Sequence, residues 1–260
     1  MGAVFFMLFG CASPSYLKTK LLNDVQENGY TSAVVEKQGL PIFYVTNFKN
    51  SKTARLYIEG DGTAFVSRTQ VSDNPTPIEA VAYELMKQDQ SNQALYYLAR
   101  PCQFCWDANC TPKLWTSERF SKRVLTAYNE LLDSLKDRHT SFELIGYSGG
   151  AALALLLAAT RDDILRVITF AGLTDVSYWC KIKGFTPLDN SLNPADFTEK
   201  LEKIPQVHFA GKKDKNVPLE VLERYLCNFK DSSPIHKIVK EDFDHFSNWG
   251  LLWVRYHHKG

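Results

Sequence analysis

The sequence predicts an α/β protein: a mostly parallel central sheet with helices on both faces, entered through N-terminal antiparallel strands. Three observations lead there. Runs of β-branched and aromatic residues at 32–36 and 42–48 flank Gln38-Gly39, which reads as a hairpin. Beyond it, short apolar strands alternate with helical stretches, a pattern that calls for parallel neighbours joined by helical crossovers. The run 141–145 then passes through Gly146-Tyr147-Ser148-Gly149-Gly150 into an Ala/Leu helix at 151–159. A helix with no polar face belongs inside a layered fold.

Size and composition suit that architecture. The chain has 260 residues, 45% hydrophobic and 23% charged, enough for one domain with a substantial core. A net charge of +1 offers no basic surface for nucleic acid. There is no internal repeat, and the apolar runs are too short to span a bilayer as helices.

The elements follow in order. Residues 12–29 are polar, with a helical stretch before Gly29, and read as an N-terminal linker; the main domain is 30–260. After the hairpin, 54–58 is a third strand ending at Glu59-Gly60-Asp61-Gly62. Thr76-Pro77-Ile78-Glu79 has the form of a capping box with Pro in the first turn, predicting a helix from there to about 88. Residues 95–99 form a strand, 101–112 a cysteine-rich loop, and 117–136 an amphipathic helix. The strand at 164–170 precedes a stretch without clear period, 172–205, expected as a small cap over the sheet end. A strand at 207–210, a helix at 218–229, a last strand at 235–239 and a closing helix at 246–256 complete the chain.

Gly146-Tyr147-Ser148-Gly149-Gly150, between strand and helix, is a nucleophile elbow pattern. The turn is so tight that side chains at Gly146 or Gly150 would collide, and it lifts the Ser148 hydroxyl to where a base can reach it. With this elbow after the fifth strand, the chain from about residue 30 resembles the serine hydrolases of the α/β-hydrolase fold. The resemblance implies the order serine, acid, histidine. His139 precedes Ser148, His208 and His236 fall within or at the start of strands, and His257 and His258 lie in the tail. His245, in the loop after the last strand, is left as the base. Gly211-Lys212-Lys213-Asp214-Lys215-Asn216-Val217-Pro218 resembles the family's acid turn and nominates Asp214, with Asp175 as rival; Asp244 is too close to His245 to turn back on it. The implied oxyanion donors are the N–H groups of Gly149 and Asp61, with Gly62 second to Asp61. Glu59 stands where the family often has histidine, and the Asp61 carboxylate is expected to point away from the hole. No metal and no cofactor is implied.

The N-terminal Leu8-Phe9-Gly10-Cys11 resembles the lipobox of bacterial lipoproteins, although no Lys or Arg precedes the apolar run. The resemblance implies a signal segment at 1–11, lipid attachment at Cys11, a membrane anchor and a place in the bacterial envelope, on the periplasmic face of the outer membrane. The other cysteines are Cys102, Cys105, Cys110, Cys180 and Cys227. Structural disulfides fit such a compartment, with Cys102–Cys110 the first pairing and one thiol left over. The expected activity is acyl transfer to water on a small-molecule acyl substrate, as a carboxylesterase or lipase-like enzyme. A serine peptidase, an acyltransferase or a non-catalytic binding lipoprotein are the alternatives. Phe104, Trp106, Trp115, Tyr178 and Trp179 either line an acyl pocket or pack under the loops.

Overall fold

Gln38 and Gly39 both take positive φ, the backbone demanded by a two-residue hairpin turn, and join β1 (Thr31–Lys37) to β2 (Leu40–Thr46). The computed structural model describes residues 13–257, so Cys11 and the expected signal segment lie outside the described residues. The remaining strands are β3 (Thr53–Ile58), β4 (Ala94–Leu98), β5 (Ser141–Tyr147), β6 (Ile164–Phe170), β7 (Gln206–Gly211) and β8 (Ile235–Lys240). They form one sheet in the order β1-β2-β4-β3-β5-β6-β7-β8. β2 pairs antiparallel with β1 and with β4; every pairing from β4 to β8 is parallel.

Alternation along the strands feeds two cores. Leu56, Ile58 and Leu144 face one side, where α3 (Lys122–Ser134), α4 (Gly149–Thr160) and α7 (Leu219–Leu226) pack. Tyr57 and Ile145 face the other, against α1 (Pro14–Glu27), α2 (Val81–Lys87) and α8 (Trp249–His257). α4 is buried from Gly149 to Ala159, as its lack of a polar face requires. Residues 172–205 supply its cover. α5 (Val176–Lys183), a 3-10 turn at Pro194–Phe197 and α6 (Thr198–Leu201) place Leu173, Val176, Cys180 and Leu201 in the same core as its leucines. α5 also leans on the turn after β7, where Trp179 Nε1 and Lys183 Nζ donate to the Asn216 and Lys215 carbonyls at 2.7 Å each.

The segment expected as a linker holds α1, whose Leu17, Leu21 and Val25, four residues apart, form a buried stripe that docks it on the domain. Two expectations need correction. The helix expected from Thr76 begins at Val81. Thr76 Oγ1 instead accepts the Phe104 N–H (3.0 Å), and Glu59 Oε2 takes the Ala82 N–H (3.1 Å), so a carboxylate from β3's end caps α2. The bond Cys102–Cys110 is present, but Cys105, Cys180 and Cys227 are all free, where one spare thiol was expected. Burial raises the Cys105 thiol to about 11, so it stays protonated at neutral pH.

Candidate active site

The site is assembled at the carboxyl ends of the parallel strands, where three loops meet. β5 delivers Ser148 in a conformation few side chains adopt, φ 51° and ψ −120°. Strain of this kind costs about 1–3 kcal/mol and persists only where the surroundings hold it. Here the Ser148 N–H donates to Phe170 O and the Ser148 carbonyl accepts from Leu173 N, both at 3.0 Å, pinning the elbow to β6 and the segment after it. A Cβ on Gly146 would lie 2.5 Å from Ala151 Cα, and one on Gly150 2.2 Å from Ile58 O. Both contacts are with backbone, which explains why glycines bracket the serine.

β7 and β8 deliver the other two residues. Lys212 N and Lys213 N donate to the carbonyls of Lys240 and Phe243, both at 2.9 Å, stitching the turn after β7 to the loop after β8. Asp214 Oδ1 accepts the Asn216 and Val217 N–H groups at 2.8 and 2.9 Å, which leaves Oδ2 for His245 Nδ1 at 2.7 Å. On the other side of the ring, His245 Nε2 lies 3.0 Å from Ser148 Oγ. An ionised aspartate can only accept, so Nδ1 carries the proton and Nε2 is free to accept from the serine hydroxyl. The His245 carbonyl is held from two sides, by Tyr147 Oη and Trp249 Nε1, each at 3.0 Å. Asp214 and His245 are buried while Ser148 is half-buried, so solvent reaches the line from the serine end. Such a line can take a proton from a hydroxyl as the hydroxyl attacks a carbonyl.

The rivals are engaged elsewhere. Asp175 caps α5, accepting from Tyr178 N (3.0 Å) and Asn193 Nδ2 (3.2 Å). Asp244 accepts from Phe246 N and Ser247 Oγ. His139 is buried between Tyr96 Oη and Ser51 O, and burial lowers His208, beside Thr169 and Gln206, to about 3. His236 is exposed on β8; the side chain of His257 and all of His258 lie outside the described residues.

The loop after β3 sits directly on the elbow. A Cβ on Gly60 would meet Ser148 Cβ at 3.2 Å. Neither the Gly149 N–H nor the Asp61 N–H donates a hydrogen bond within the described residues. The Asp61 carboxylate, expected to turn away, instead lies against Gly149 and is paired with Arg100 at 2.9 Å and Arg119 at 2.7 Å. Burial pushes the Asp61 carboxyl up, but the charges of Arg119 and Arg100 outweigh it and hold it below the usual carboxylate range. Sequence reasoning missed both arginines: Arg100 lies just past the end of β4, and Arg119 falls in the stretch 117–136 expected as helix, ahead of the actual start of α3 at Lys122.

The loop aromatics divide. Trp115 is buried and donates to Ser72 O at 3.0 Å, and Tyr178 and Trp179 pack half-buried under the loops. Phe104 borders a cavity of about 420 Å³ beside the His245 loop, with Leu17, Ile78, Phe246 and Trp249; Ser148 is not among its lining residues.

Residues 69–246, well over half of the chain, match the family model described as serine hydrolase (FSH1). The chain belongs to the FSH1 serine hydrolase family. The matched span includes Ser148, Asp214 and His245 and begins after the loop at 59–62. In fold, this FSH1-family chain is similar to Est1E from Butyrivibrio proteoclasticus, with a TM-score of 0.62 and 13% identity over 88% of this chain and 98% of that one. It is also similar to the Pyrococcus furiosus esterase Pf2001, with a TM-score of 0.65 and 12% identity over 90% and 91%. A third likeness is to an alpha-beta serine hydrolase homologue from Coxiella burnetii, with a TM-score of 0.55 and 14% identity over 87% and 96%. No curated protein sequence matches the chain.

Proposed function

We propose that this FSH1-family hydrolase cleaves carboxylic esters through an acyl-enzyme on Ser148. The observation that carries the reading is the continuous hydrogen-bonded line from Ser148 Oγ through His245 to Asp214, at 3.0 and 2.7 Å. In the proposed cycle Ser148 Oγ attacks the ester carbonyl carbon while His245 Nε2 takes its proton. Asp214 steadies the imidazolium, and the N–H groups of Gly149 and Asp61 receive the negative oxygen. His245 returns the proton to the departing alcohol. It then deprotonates a water that attacks the acyl carbon, and Ser148 regains its proton as the acid leaves. Esters are favoured over amides because the Pyrococcus furiosus protein of similar fold is named an esterase.

A fluorophosphonate should label native protein at Ser148, and Ser148→Ala should lose both labelling and ester turnover, by about 10⁴-fold or more, with an unchanged melting curve. A native protein that is neither labelled nor active on any of a panel of acyl esters would sink the proposal. Faster turnover of aminoacyl amides than of esters would replace esterase with peptidase.

A further inference from the structure

We propose that Arg100, Arg119 and Gln103, presented by the segment between β4 and α3, are positioning residues that hold the main chain at Asp61 as the second oxyanion donor. The inference rests on the acyl-transfer reading of Ser148.

The geometry is specific to the segment 59–62. Arg100 Nη1 donates to Asp61 Oδ1 at 2.9 Å and Arg119 Nη1 to Asp61 Oδ2 at 2.7 Å, so each carboxylate oxygen has its own guanidinium. The two arginines are tied to each other, because Arg100 Nη2 donates to the Arg119 carbonyl, and Arg119 Nε donates to Thr116 O at 2.8 Å. Gln103 closes the frame. Its Oε1 accepts from Arg100 N at 2.9 Å and its Nε2 donates to Gly60 O at 3.0 Å, gripping the peptide group whose nitrogen is the Asp61 N–H. Arg100, Gln103 and Arg119 are all at most 5% exposed, so these bonds compete little with water.

The clamp also accounts for an acid beside an anion hole. The Asp61 carboxylate occupies the space a Cβ on Gly149 would need, with Oδ1 only 2.2 Å from that point. Alone it would repel a developing oxyanion at the Gly149 N–H. Two guanidiniums facing one carboxylate leave a surplus positive charge behind the hole. The Arg100 Nε is buried without a hydrogen-bond partner, so no further protein acceptor offsets that charge at this atom. The bond Cys102–Cys110 closes the loop that carries Gln103 and borders Arg100.

The test compares Arg119→Gln, Arg119→Lys and Arg100→Lys with native protein on an ester turned over by Ser148. Rates are divided by sites titrated to completion with a fluorophosphonate, which removes any loss from unfolded protein. Arg119→Gln should lower kcat about 30-fold with KM within about twofold, less than the roughly 10²–10³ lost with an entire oxyanion donor. Arg119→Lys, which keeps the charge but not the planar fork, should recover about a third or more of the native kcat. Affinity for a trifluoromethyl ketone, which forms a tetrahedral oxyanion on serine, should fall in proportion to kcat/KM across the set. Native kcat and native ketone affinity in titrated Arg119→Gln would overturn the clamp. Where Arg119→Gln does not fold, Arg100→Lys decides: a kcat about three- to tenfold down with parallel ketone affinity supports the clamp, and native values overturn it. A native protein with no labelling and no turnover overturns the acyl-transfer reading and the clamp together.

Discussion

Replacing Glu59 with glutamine should change how stability depends on pH, by an amount the structure sets. Glu59 is 1% exposed, and its oxygens accept the Gly60 N–H at 2.8 Å and the Ala82 N–H at 3.1 Å. Burial raises its carboxyl from the ordinary 4.5 to about 7, against the pull of those two N–H groups. Between these values the folded state holds a proton that the unfolded chain has released. The contribution of Glu59 is therefore fully present below 4.5 and is lost as pH rises through 7. At about 1.4 kcal/mol for each unit, the loss across that window is about 3 kcal/mol. Glutamine cannot ionise, so Glu59→Gln lacks this slope. Its amide NH₂ must face one of the two N–H donors, a penalty of about 1–3 kcal/mol that does not vary with pH. Urea unfolding of both proteins at intervals from pH 4.5 to 7.5 gives the difference, in which all other titrations cancel. Relative to native, the variant should gain about 3 kcal/mol from the acid end to the neutral end. A difference flat within about 0.5 kcal/mol would refute the reasoning, since it would mean that Glu59 ionises as it does in water.

Two further outcomes are expected. Gly150→Ala should destabilise the fold by about 3 kcal/mol in urea, although alanine is the better helix former, because its Cβ would meet Ile58 O at 2.2 Å; a loss under about 0.5 kcal/mol would show that the elbow has room to shift. Breaking Cys102–Cys110, by reductant or as the double serine variant, should cost about 2–3 kcal/mol for a sequence separation of 8 and lower Tm by roughly 5–10 °C; an unchanged melting curve would mean the bond does not constrain the unfolded chain.

What could be read from the sequence was what local chemistry dictates. The Gln38-Gly39 turn, the polar-free helix after Ser148 and the glycines around it each follow from sterics or burial over a few residues, and the structure has all three. His245 and Asp214 were reachable through the family resemblance, whose chain order and acid turn point to them, and the structure brings both to Ser148. The misread start of α2 shows where local reasoning ends. Thr76 and Glu79 have the spacing of a capping box, yet the cap comes from Glu59, 23 positions before the N–H it accepts. A pairing across that distance leaves no trace in the residues near the helix.

The loop after β4 marks the same boundary from the side of function. Read locally, Arg100 and Arg119 are two cations on either side of a cysteine-rich loop, and Asp61 is an acid in an unfavourable place beside an anion hole. Each is explained only by the others, across sequence separations of 39 and 58. Pairing then decides the sign of the effect. An exposed, unpaired Asp61 would be a weak, screened repulsion. Half-buried between two guanidiniums, it becomes the handle by which a loop lacking the family's histidine is gripped, and Glu59, in that histidine's place, grips the same loop from the α2 side. The departure at Glu59 and the two arginines are thus parts of one solution to holding a main-chain N–H still, so Arg119→Gln and Glu59→Gln together should lose less kcat than the product of their separate losses.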